Sequence, residues 1–144
     1  LADVYFKERD FNLSKKESEE VLELSPRNYQ ATLLLGNINM LERNYEEAQK
    51  RFQDLIELDP DNPTGYYRMG LVQRVQKKYD QALSYFEKAI PFAPKWPDLY
   101  LDIARAHRLA GETPRARQAY RRVIELAPGT DIGDTAIREA DGLN

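Results

Sequence analysis

Catalysis needs a reactive side chain beside a partner, and this sequence offers few of either. His107 is the one histidine, so a histidine-rich metal site is excluded, and no His, Asp and Glu fall together at ligand spacing. With no cysteine there is no thiol nucleophile, no disulfide and no thiolate metal site. The serines are Ser14, Ser18, Ser25 and Ser84, and none sits in a strand–turn–helix nucleophile context. There is no glycine-rich phosphate loop. The acidic run Glu17, Glu19, Glu20 and Glu23 reads as a solvated helical surface, since paired catalytic carboxylates would need a cleft. These residues predict a chain that is not an enzyme and that uses no metal and no cofactor. What remains is recognition.

Bulk composition points the same way. Apolar residues make up 42% of the 144, enough for a core without disulfides, and charged residues make up 31%, mixed in sign, which reads as a wet surface. The net charge of −3 argues against nucleic acid, whose binders carry a clustered basic footprint. No apolar run approaches the roughly 18 residues of a membrane span, and the start is not signal-like. Membrane insertion is not expected, and cytoplasmic, periplasmic and secreted settings stay equally open. The chain opens on Leu1 in mid-motif, which reads as a fragment of a longer protein, an engineered chain being the alternative.

The elements that position the recognition residues follow from a period. Pro26, Pro60, Pro94 and Pro128 are 34 residues apart, each closing a similar phrase such as Leu58-Asp59-Pro60 or Leu126-Ala127-Pro128. A fixed period of this length marks one unit copied along the chain and stacked. Small residues recur at Ala2, Gly36, Gly70 and Ala104, and again at Ala48, Ala82 and Ala116, where the first copy has Ser14. Aromatic residues recur at Phe52, Phe86 and Tyr120, where the first copy has Ser18. Apolar spacings of three and four residues make each unit a pair of amphipathic helices. The expected helices are 1–9, 13–25, 29–42, 45–58, 63–76, 79–92, 97–110, 113–126 and 131–141. Proline closes the second helix of each pair, and Pro63 and Pro97 open the next. Pro91 removes an N–H late in helix 79–92, which should kink or stop there. Gly36 and Gly70 should mark where the paired helix crosses, facing Ala48 and Ala82, with Phe52 and Phe86 filling the gap between one unit and the next. Trp96 should plug a gap between units. In 131–144, Asp134, Arg138, Glu139 and Asp141 are expected on a wet outer face.

The phrase Leu35-Gly36…Ala48…Phe52…Pro60, repeated as Tyr66…Met69-Gly70…Ala82…Phe86…Pro94 and Tyr100…Ile103-Ala104…Ala116…Tyr120…Pro128, resembles the tetratricopeptide repeat (TPR) family. The resemblance departs at the family's frequent tryptophan, here Thr32, Tyr66 and Tyr100, and at its first-helix tyrosine, here Asn39, Gln73 and His107. It implies an all-α fold, a right-handed α/α superhelix of antiparallel helix pairs. The chain is then one TPR-like domain over 1–144. A partial repeat spans 1–28, full repeats span 29–62, 63–96 and 97–130, and 131–144 is a capping or truncated helix.

In such stacks the first helices line a concave groove. Carried onto this chain, the groove residues are Leu33, Tyr67 and Leu101, then Asn37, Leu71 and Arg105, with Arg74 and Arg108 on one flank. The resemblance implies a non-catalytic scaffold for protein–protein interaction that holds a peptide or partner helix there by apolar anchors and arginine–carboxylate bonds. The alternatives are a self-assembly or spacer segment, or a substrate-presenting arm of a larger enzyme. A clamp for chaperone tails is rejected. Only Asn37 matches it, while Leu33, Arg68, Asp98 and Asp102 hold the other positions, and two of those are acidic. Charge is divided along the chain. Residues 1–62 hold 14 acidic and 8 basic side chains, net −6, residues 63–130 hold 6 and 12, net +6, and the tail 131–144 holds 4 and 1, net −3. That division favours a homo-oligomer joined head to tail through the stack ends.

Overall fold

The computed structural model describes residues 11–143. The expected helix 1–9, and with it the Ala2 rung, lies outside them. Among the described residues there are eight α-helices and no strand: α1 (Phe11–Leu24), α2 (Tyr29–Leu41), α3 (Tyr45–Leu58), α4 (Pro63–Val75), α5 (Tyr79–Ala89), α6 (Pro97–Leu109), α7 (Thr113–Leu126) and α8 (Asp131–Asp141). Observed and expected boundaries agree to within two residues, except at α5. There the α-helix ends at Ala89 and a single 3-10 turn, Ile90–Phe92, follows. Pro91 lies in that turn, and its missing N–H ends the regular ladder as expected.

Two compact units divide the chain, 1–65 and 66–144, with the boundary inside α4. In the first, α2 and α3 pack as a hairpin around Leu34, Leu35, Ile38, Ala48, Phe52 and Leu55, all buried. The Asn28 side chain caps α2 by accepting from the Ala31 N–H at 2.9 Å. On α1, Ser14 and Ser18 are buried, and the Ser18 hydroxyl is satisfied by donating to the Ser14 carbonyl at 2.8 Å. Lys15 and Glu42 tie α1 to the end of α2 at 2.9 Å.

Gly36 shows why the small rung exists. A Cβ there would lie 2.8 Å from Cδ1 of Phe52, so the ring sits directly on the bare backbone of its own hairpin partner. Gly70 stands in the same relation to Phe86, where a Cβ would lie 2.5 Å from Cδ1. Each ring is thus seated on the glycine of its own pair, and Phe86 also belongs to the core that α6 and α7 share.

The second unit packs Ala82, Phe86, Leu99, Ala104, Ala116, Tyr120, Val123 and Ala136 into one core. Trp96 lies beside α6 with its ring centre 4.5 Å from that of Tyr67, and the Tyr67 ring centre lies 5.9 Å from that of Phe86. At the end of each first helix the chain turns by the same device. Arg43 (φ 60°), Lys77 (φ 60°) and Gly111 (φ 80°) are left-handed, and each following N–H bonds back to the carbonyl of Asn39, Gln73 or His107. The shared carbonyl role explains how side chains as different as Asn, Gln and His occupy one rung.

Candidate functional site

Of the expected groove residues, Leu33 and Asn37 lie half-buried on α2 in the first unit. The other six lie in the second unit and are placed by α4 and α6. Tyr67, Leu71, Arg74 and Arg105 are half-buried, and Arg108 is exposed. Leu101 is only 6% exposed and belongs to the core. It supports the face from beneath and is closed to a partner.

The polar members are already joined to one another. The Tyr67 hydroxyl donates to Asp102 at 2.6 Å. Arg74 reaches the same carboxylate at 3.4 Å and Arg105 reaches it at 3.7 Å. Arg105 also grips Glu139 with two prongs, Nη2 to Oε1 at 2.6 Å and Nε to Oε2 at 3.0 Å. The Tyr120 hydroxyl donates to the same Glu139 at 2.9 Å. Asp102 is buried, and its charge is held there by a phenol and two guanidiniums.

The electrostatics follow from these contacts. Burial first, and then the Asp102 carboxylate, push the Tyr67 phenol well above its ordinary range. Burial and then the bond to Glu139 push Tyr120 up to about 12. The hydrogen bond from Arg105 holds the Glu139 carboxyl below its ordinary value. Both phenols stay protonated and donate to these carboxylates.

Glu139 was expected on an outer wet face of the last helix. It points instead at Arg105, and this is corrected by the register. Glu139 stands one 34-residue period after Arg105 and extends the row Asn37, Leu71, Arg105. Opposite charges one period apart on neighbouring first helices was the signal available in the sequence. Thr130 starts α8 by accepting from the Gly133 N–H at 3.3 Å and donating to the Ala127 carbonyl at 2.7 Å. A side chain at 133 would run into that carbonyl, which explains the glycine in a first turn.

His107 lies at the end of α6, its Nδ1 2.6 Å from Glu112. That bond, before the nearby Arg115, holds the Glu112 carboxyl below its ordinary value. The pair ties the helix end to the turn that follows it. Among the described residues no group of three or more His, Cys, Asp or Glu is placed to hold a metal ion, and no helix is long and apolar enough to cross a membrane.

Comparison with known proteins agrees with the geometry. Family models described as tetratricopeptide repeat match residues 61–128 and 1–48, and one described as TPR repeat matches 36–74. The chain belongs to the tetratricopeptide repeat family. No curated protein matches it. Among solved structures, one titled "Crystal structure of MamA" superimposes with a TM-score of 0.80 at 20% identity, covering 99% of this chain and 92% of that one. A second, "Crystal structure of MamA protein", gives 0.79 at 23% identity over 99% and 80%. "Arabidopsis OM64 TPR domain" gives 0.70 at 18% identity over 79% and 94%. Identities this low show the TPR fold alone. Proteins of this family are generally non-catalytic interaction modules.

Proposed function

We propose that the chain is a non-catalytic protein–protein interaction scaffold, and that residues 66–144 hold a peptide or partner helix on the face made by successive first helices. The observation that carries this reading is the linked set Tyr67, Asp102, Arg74, Arg105, Glu139 and Tyr120. It ties α4, α6 and α8 together through side chains of one face, with the buried Tyr120 of α7 holding Glu139 from beneath, so that face is rigid before a partner arrives. Binding to a rigid face loses less conformational entropy. Leu71 offers an apolar anchor, and Arg108 offers a charge with no ion pair among the described residues. Arg74 and Arg105 serve the face as internal struts. Leu33 and Asn37 carry the same register on α2 in the first unit.

The test is affinity capture with the chain and with its Leu71→Asp/Arg108→Glu variant. Tyr67 and Leu101 are poor choices, because one holds Asp102 and the other is core. Proteins retained by the chain and lost by the variant support the reading. Equal retention by both sinks it. Self-association is the second reading, favoured by the division of charge between residues 1–62 and 63–130.

A further inference from the structure

We infer a second binding site on the opposite side of α6, a cleft of about 710 Å³ that takes an extended acidic peptide with alternating apolar side chains. It goes beyond the inner-face reading and does not depend on it. Helical periodicity separates the two faces. Leu101, Arg105 and Arg108 share one stripe, at spacings of four and three. Tyr100, Ile103 and His107 share the other, at three and four, and line the cleft. Its apolar floor is completed by Ile90 from the 3-10 turn and Ala119 from α7. The volume falls in the roughly 300–1,000 Å³ range of small-ligand sites, too large for one inorganic anion and suited to a few residues of extended chain.

Three arginines and two glutamates line the cleft, so its excess charge is positive. Arg115, Arg121 and Arg122 project from α7, whose sequence holds four arginines and one glutamate. Arg121 is exposed and makes no ion pair among the described residues. Arg122 pairs with Glu125 at 3.2 Å and lies 5.7 Å from the centre of the Tyr100 ring, while Arg115 pairs with Glu112 at 3.1 Å. Exposed pairs of this kind contribute little, so a peptide carboxylate displaces them easily. Glu87 and Glu125 also line the cleft and limit the number of carboxylates it accepts.

The repeat does not require these arginines. One period earlier the same positions hold Gln81, Glu87 and Lys88, and two periods earlier Glu47, Gln53 and Asp54. Their packing neighbours, by contrast, keep the small and aromatic rungs in all three copies. A cleft with apolar floor and an excess of positive charge selects a strand whose side chains alternate, because alternate residues of an extended chain face opposite ways. Its recessed walls also focus the field on an incoming anion.

The test is fluorescence anisotropy of a short fluorescein-labelled peptide of alternating glutamate and leucine, titrated with the chain at low salt. Saturable binding is expected, weakened at least ~tenfold by Arg121→Glu/Arg122→Glu. It should be unchanged by Arg108→Glu on the other face, and a lysine–leucine peptide should not bind. If the double variant fails to fold by circular dichroism, Arg121→Ala, which breaks no ion pair, should still weaken binding. Absence of saturable binding, equal binding by the folded variants, or loss confined to Arg108→Glu overturns the site. Tighter binding of a DNA oligonucleotide or of anionic vesicles through the same arginines overturns the peptide assignment.

Discussion

Tyr120 and Phe86 occupy the same rung, yet only one carries an oxygen. In the third repeat that oxygen has a use, donating to Glu139 at 2.9 Å. Tyr120→Phe should therefore destabilise by about 1–2 kcal/mol in chemical denaturation, because a hydrogen bond to a charged acceptor is lost while the ring remains. Glu139 should also make stability depend on pH. Its folded pKa lies below the ordinary 4.5, so its contribution is complete above that value and is lost as pH falls through the folded pKa. Thermal melts of the chain and of Glu139→Gln should differ at pH 7 and converge in acid, below the depressed pKa. A gap that persists there would show that Glu139 acts through packing alone. The Arg105–Glu139 pair was hidden in the sequence for a simple reason. Periodicity says which residues share a rung, but a surface position and a helix–helix contact look alike until the neighbouring helix is placed. Leu101 illustrates the converse. Its rung pointed to the groove, and the packing of α6 covered it.

At the scale of the element, the glycines and the left-handed turns carry the predictions. Gly70→Ala should destabilise by roughly 1–3 kcal/mol through overpacking against Phe86, although alanine is the better helix former. A melt unchanged or raised by this substitution would show that the ring can move aside. Arg43 and Lys77 hold φ 60° where the third copy uses Gly111. An L side chain is strained there and glycine is not. Arg43→Gly and Lys77→Gly should each raise stability by about 0.5–1 kcal/mol once the extra freedom of the unfolded glycine chain is subtracted. Loss of stability in both would mean that the aliphatic stems contribute packing greater than the backbone strain. These elements were legible from the outset. The breaks at Arg43-Asn44, Lys77-Lys78 and Gly111-Glu112, and the stop at Pro91, are local consequences of backbone geometry.

For the whole molecule, the acidic first part and basic second part predict association between copies. Sedimentation velocity across a salt series should show larger species at low salt that dissociate as screening increases. A monomer at every concentration in low salt would remove self-assembly as a reading. The repeat period, the helix pairs and the family were all written in residue spacing, because each repeat uses the same short-range rules of periodicity, proline and glycine. Which charges stay exposed and which pair with one another was decided only when α4, α6, α7 and α8 were brought together. Ion pairs such as Arg74–Asp102 and Arg105–Glu139 join residues 28 and 34 positions apart. At that separation the sequence supplies opposite charges, but only the packing of the helices between them determines whether they touch.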